Sequence, residues 1–318
     1  GQRSVLEGPW PTVWIAAGRR SAPFTRAVRA LSGGKTMTVQ ILDPNIAPDN
    51  FDMLVVPSHD GVSGPNVIET IGSPSYFAPD QIEDAGQAFA DLADERAKSA
   101  IVIIGGDSKT HTFSDAAAER IEGQLRDLAG LGWRLRITTS RRTPLAGVAR
   151  FRSFADQVGA RFWSGPEDGQ NPYLAWLAFS DVAIVTEDSA NMLSDAAWHG
   201  LPVHIARLEG RHDKFDRLHD SLIDHGAARW FGGTLETWTY PLPGEMKAPH
   251  AQAKSGCDDP LIRRDRLQDK AATQDTCRAI RVIQDRRLPA RNAFFRLIEP
   301  NHRNIALPAE PPRHRRPC

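Results

Sequence analysis

Cysteine is nearly missing from this chain. There are three in 318 residues, Cys257, Cys277 and Cys318, and no two share the close spacing that zinc or a redox disulfide requires. Zinc, iron–sulfur and disulfide frameworks are therefore excluded as organising devices. Long hydrophobic runs are missing too. The longest, around Tyr173–Val185, is interrupted by Ser180 and Asp181, whereas a membrane span takes ~20 apolar residues. The opening Gly1-Gln2-Arg3-Ser4-Val5-Leu6-Glu7 has neither a signal-peptide core nor an Arg/Ser-rich transit pattern. The expectation is a reduced, cytoplasmic protein.

Net charge is also absent, but only in the sum. Residues 247–318 hold 16 Lys/Arg against 8 Asp/Glu, so residues 1–246 carry the balancing −8. An acidic body disfavours a dedicated nucleic-acid binder. All eight tryptophans precede residue 247. Beyond it the only apolar cluster is Ala293–Ile298, and the composition predicts a basic low-order tail or an out-of-frame product, with no site residue.

What is present before residue 247 is an α/β alternation. Strands are predicted at Val13–Ala17, Thr36–Leu42, Met53–Val56 and Asn66–Glu69, with a helix over Ser21–Leu31. A helix over Pro79–Lys98 would link this half to the next. The second half begins with the uninterrupted run Ala100–Ile104, which suits a central strand buried on both faces. Strands follow at Arg134–Thr139, Ala160–Trp163, Val182–Val185 and Leu201–Ile205. Helices are predicted from Ser114-Asp115 to Gly130 or Gly132, and over Pro144–Val158, Asn171–Phe179, Asn191–Trp198 and Arg217–His225. The expected domains are 1–96 and 97–246, followed by the tail 247–318.

Three loops at strand ends carry the chemistry. Gly105-Gly106-Asp107-Ser108 follows a buried strand, where glycine lets backbone amides approach a phosphate; a plain tight turn is the other reading. It matches neither a Walker loop nor a dinucleotide fingerprint. Ser140-Arg141-Arg142-Thr143 ends a strand with two guanidiniums and two hydroxyls, suited to a diphosphate or simply to an exposed basic turn. Thr186-Glu187-Asp188-Ser189-Ala190-Asn191 opens a helix, so Ser189 and Asn191 meet phosphate oxygens, or Asp188 or Ser189 is merely its N-cap. Asp195, a turn and a half on, is placed for ribose hydroxyls or for the surface. His199 reads as a partner of the helix end, and Lys109 and His111 as solvated loop residues. No Asp-x-Asp motif is present, so no metal site is expected.

Taken in order, Pro9-Trp10-Pro11, Trp14–Arg20, Gln40–Pro44, Pro57–Asp60, Gly64–Val67, Ile104–Ser108, Ser140–Pro144 and Thr186–Ser189 resemble the mitochondrial fission "elongated mitochondria" family and its bacterial relatives, across residues 5–246. The resemblance implies a GT-B-like architecture: two Rossmann-like domains about a deep cleft, the second holding a nucleotide-sugar donor. It matches Thr186, Asp188, Ser189 and Asp195 to donor-loop positions. Asn191 and Asp195 stand where the family leads one to expect Ser and Glu. The family also leads one to expect an earlier strand and crossing C-terminal helices, so an N-terminally truncated first domain is expected here.

The implied function is metal-independent glycosyltransferase-like chemistry, with the nucleotide-sugar as substrate, no cofactor and an unidentified acceptor. Arg141 or Arg142 would stabilise the leaving diphosphate, and His59 or Asp60 are the base candidates. Peripheral association with the inner face of a membrane fits this reading. The alternatives are an adaptor that recruits a dynamin-like fission GTPase to the outer mitochondrial surface, and a nucleoside-diphosphate-sugar epimerase.

Overall fold

A computed structural model describes residues 8–74, 77, 79–92 and 97–243. The tail expected from Lys247 lies outside the described residues. The protein is α/β, built on two parallel sheets that belong to one compact unit. The first sheet comprises β1 (Val13–Ala17), β2 (Met37–Ile41), β3 (Met53–Pro57) and β4 (Val67–Thr70), paired in that order. Helix α1 (Ala22–Leu31) joins β1 to β2, with Pro23 in its first turn, where no backbone donor is needed. It buries Ala22, Thr25 and Val28 against the sheet.

The link between the halves is shorter than the sequence pattern suggests. Helix α2 runs only Pro79–Ala88, and a 3-10 turn over Ala90–Leu92 follows. That turn carries Leu92 into the second core, where it is fully buried. The last part of the predicted helix, residues 93–96, lies outside the described residues.

The second sheet has six strands, all parallel: β5 (Ser99–Ile104), β7 (Arg134–Thr139), β8 (Arg161–Trp163), β9 (Val182–Thr186), β10 (Val203–Ala206) and β12 (Ala228–Trp230). Their order is β8-β7-β5-β9-β10-β12, the doubly wound 3-2-1-4-5-6 arrangement. Two-residue strands β6 (His111–Thr112) and β11 (Glu209–Gly210) form a small antiparallel ribbon beside it. Helices α3 (Asp115–Gly130) and α4 (Leu145–Val158) cover one face. Helices α5 (Tyr173–Phe179), α6 (Ala190–Trp198) and α7 (Asp213–Asp224) belong to the other. Ser114 caps α3 by accepting a hydrogen bond from the Ala117 amide at 3.1 Å.

Strand β5 shows why its run is unbroken. Ile101 and Ile103 enter the core with Trp176, Leu193 and Leu218, while Val102 and Ile104 enter the opposite core with Ile121, Phe151 and Phe154. Both sides of the strand are dry, so a polar residue on either would be buried without a partner. Among the described residues no helix is long and apolar enough to cross a membrane.

Candidate functional site

Strand β5 pairs with β7 on one side and β9 on the other. The three sequence-predicted loops therefore emerge side by side, at the point where the strand order reverses. In open parallel sheets, ligands bind in this crevice. The structure ties the loops together through Asp188, whose side chain is fully buried. Its Oδ2 accepts from the Gly106 amide at 3.1 Å and from the Arg142 guanidinium at 2.7 Å. Thr186 Oγ1 donates to Asp188 Oδ1 at 2.6 Å and accepts from the Gly105 amide at 2.7 Å. Thr143 Oγ1 donates to the Gly105 carbonyl at 2.5 Å and accepts from the Ser140 amide at 3.0 Å.

The two glycines make room for protein rather than presenting free amides. A Cβ on Gly105 would lie 2.0 Å from Asp188 Oδ1, and one on Gly106 would lie 2.1 Å from the Arg142 carbonyl oxygen. Both amides donate within the network just described. Gly105, Gly106, Ser140, Arg142, Thr186 and Asp188 are thus brought together as a self-satisfied frame. Ser108 serves its own loop, where its Oγ accepts from the amides of Thr110 and His111 at 3.2 and 3.0 Å. Arg141 is exposed beside the frame.

The start of α6 is arranged differently. Ser189 occupies the N-cap position but makes no side-chain capping bond, and Asn191 is exposed in the first turn. The leading N–H groups of the helix and its positive dipole end thus have no side-chain acceptor from Ser189. Asp195 is buried within α6, against the expectation that it lies on the surface or in an open ribose site. Tyr173, at the start of α5, donates to its Oδ2 at 3.3 Å. Burial pushes this carboxyl up to about 7. His199 takes the helix-end role expected of it, with Nδ1 2.7 Å from the Asp195 carbonyl oxygen.

Helix α6 also receives the chain that leaves β4. The Ser73 amide donates to Ser194 Oγ at 2.8 Å, and Trp198 Nε1 donates to the Ile71 carbonyl at 3.1 Å. A second junction holds His59 and Asp60, in a 3-10 turn after β3 that packs on α7. Lys214 pairs with Asp60, and Arg217 Nε donates to the His59 carbonyl at 3.1 Å. Burial, reinforced by Lys214 and Arg217 and opposed by Asp60, pushes the His59 imidazole down to about 4. His59 is therefore neutral and weakly basic at pH 7, and Asp60 is engaged by a cation.

Sequence reasoning missed a cavity of about 330 Å³ lined by His111, Glu187, Arg207, Asp216, His219 and Trp230, among others. These residues come from distant segments, and no spacing in the chain announces them. His111, read from the sequence as a solvated loop residue, is buried there. Of the set, only Glu187 lay in a stretch singled out by its pattern.

A family model described as mitochondrial fission ELM1 matches residues 1–252. The mitochondrial fission protein ELM1 of Arabidopsis thaliana is 26% identical over 268 residues, covering 75% of this chain and 62% of that protein. The chain thus spans less than two thirds of that relative's length. Among solved structures, the UDP-GlcNAc 2-epimerase of Methanocaldococcus jannaschii is 10% identical with a TM-score of 0.43, covering 70% of this chain and 67% of that one. MurG of Acinetobacter baumannii is 16% identical with a TM-score of 0.37, covering 70% and 61% respectively.

Proposed function

The chain belongs to the mitochondrial fission ELM1 family, and from that premise we propose that it binds a nucleoside-diphosphate sugar at the carboxyl edge of the second sheet, with metal-independent, glycosyltransferase-like chemistry. The observation that carries this reading is the start of α6. It is a helix N-terminus at the reversal point of a doubly wound sheet, with no side-chain cap from Ser189. Backbone donors and a dipole end in that position favour an anion. Exposed Arg141 reaches the same edge and would neutralise charge on the departing diphosphate. Arg142 has a different task, because it compensates the buried carboxylate of Asp188.

Calorimetry with UDP, GDP and CDP tests the reading. One of the three should bind, and Ser189→Ala combined with Arg141→Ala should weaken it ~10-fold or more, the loss of one or two charge-assisted hydrogen bonds. Arg142 is left intact in this test because its removal would disturb Asp188.

A second reading is an adaptor that recruits a dynamin-like GTPase at the outer mitochondrial surface without using a donor. It is favoured by the amides of Gly105 and Gly106, which are occupied by Thr186 and Asp188. Folded protein with no affinity for any of the three nucleotides would move the weight to this reading. A sugar epimerase would share the nucleotide affinity, and is distinguished by release of an altered sugar in the absence of acceptor.

A further inference from the structure

We propose that the cavity beside α7 holds the sugar part of the ligand, as a site for a neutral, hydroxyl-rich ring of hexose size. The assignment rests on the nucleotide-sugar reading above, and one residue links the two places in the chain: Glu187 lines the cavity and stands one residue before Asp188 and two before Ser189. A volume of about 330 Å³ stands at the small end of ligand sites, which run from ~300 to ~1,000 Å³.

The chemistry of the lining selects the ligand. His219 on α7 is 1% exposed, and its Nε2 lies 3.0 Å from the Glu187 carbonyl oxygen. A carbonyl only accepts, so Nε2 carries the hydrogen and Nδ1 of the neutral ring is left as an acceptor. Among the described residues nothing donates to that Nδ1. Burial favours the neutral ring, so a group that meets Nδ1 must be a donor. Glu187 is half used: Oε1 accepts from the Leu208 amide at 2.6 Å, whereas Oε2 is 4.0 Å from Arg207, beyond a hydrogen bond. Asp216 holds Arg211 Nε through one oxygen at 2.7 Å.

A donor lines the same cavity. The Arg207 guanidinium lies over the Trp230 ring, 3.6 Å from its centre, and remains largely exposed. Acceptors and donors around one cavity suit hydroxyl groups, each of which both donates and accepts. A phosphate or carboxylate would face Glu187, Asp216 and the lone pair of His219 with acceptors alone. An apolar ring would leave all of them unmatched. Nor is the cluster a cation site, since among the described residues no three His, Cys, Asp or Glu side chains converge as a metal would need.

The test titrates the full chain with UDP, GDP and CDP, with the glucose, galactose and N-acetylglucosamine conjugates of UDP, and with UDP-glucuronate. Saturation-transfer NMR with the three free neutral sugars runs in parallel. At least one neutral conjugate should bind ~5-fold or more tightly than UDP, with UDP-glucuronate gaining nothing. Trp230→Ala and the near-isosteric Glu187→Gln should each cancel that gain and the free-sugar signal while UDP affinity persists. Conjugates that bind no more tightly than UDP overturn the proposal, as do variants that weaken UDP and its conjugates equally. Free-sugar transfer without any nucleotide affinity sinks the nucleotide reading and keeps the cavity as a sugar site. Silence in both measurements sinks both.

Discussion

The two sheets are built by the same chirality and the same strand direction, yet they differ in what covers them. The second is dry on both faces, and every residue of β5 is buried. Among the described residues, the first is closed by α1 on one side only. Its register aligns Val13 with Met37, Ile15 with Val39 and Met53, and Val55 with Ile68. All are apolar, and Val13, Ile15 and Ile68 are each more than a third exposed. The face that α1 does cover carries Thr38 and Gln40, fully buried. There Thr25 Oγ1 donates to Gln40 at 3.0 Å, and the Thr38 amide and hydroxyl both donate to Asp52 at 2.8 Å. Stability is therefore concentrated in the second sheet, and the first depends more on directed polar contacts. The loops of the candidate site leave the better-packed sheet, where rigid strands can hold them to shape.

The sharpest test of that contrast is truncation. Phe154→Ala in the second sheet's core should cost ~3–5 kcal/mol, the loss of a buried aromatic plus its cavity. Ile15→Ala in the first should cost less than ~1 kcal/mol, because the side chain is 44% exposed. Urea unfolding of both variants measures the difference. Equal losses would break the comparison, by showing that the first sheet's open face is covered in solution.

Glycines at strand ends give the next largest contrast. Gly105→Ala drives a Cβ into Asp188 and disrupts a buried carboxylate's bonds, so ~3 kcal/mol should be lost. Gly18, after β1, has φ +81 and open space around it. Gly18→Ala should cost only the ~1–2 kcal/mol of a left-handed residue. Thermal unfolding separates the two.

The smallest signal is in pH. His59, from the first half, is lowered to about 4 in the fold, so its contribution to stability is complete above its ordinary 6.5 and is lost as pH falls through 4. Asp195, from the second, is raised to about 7, so its contribution is complete below its ordinary 3.8 and is lost as pH rises through 7. His59 amounts to ~3 kcal/mol and Asp195 to ~4, with opposite slope, so the two largely cancel between pH 4.5 and 6.5. Asp195→Asn should expose the rise of stability with pH that His59 produces together with His204 and His219, whose imidazoles burial also lowers. A variant whose stability still fails to rise across that range would sink the account.

Much of the fold was legible in the chain. Val13–Ala17 and Arg134–Thr139 are strands with the predicted bounds, and Ser114 caps a helix that ends at Gly130. Short pieces were not legible. β6, β11 and β12 have two or three residues each, too few for a period, and they exist because neighbouring strands offer them a ladder. Within the candidate site, the co-location of the three loops was readable from strand ends and turn residues. The uses of Gly105 and Gly106 were not, since a glycine that admits a phosphate and one that admits Asp188 look alike in sequence.

The sequence by itself determined the alternation of strands and helices, the buried central strand, the cap at Ser114 and the family motifs. Each depends on neighbours within a few residues or on a local period. The strand order, the burial of Asp195, the pairing of Arg142 with Asp188 and the cavity around His219 were decided only by tertiary structure. So was the inverted face of β2, where an apolar–polar alternation placed Thr38 and Gln40 inside and Met37, Val39 and Ile41 half outside. The physical reason is common to all of these. Period alone says that two faces differ, but which face is covered, and which buried polar atoms find partners, depends on groups that are remote in the chain and meet only when it folds.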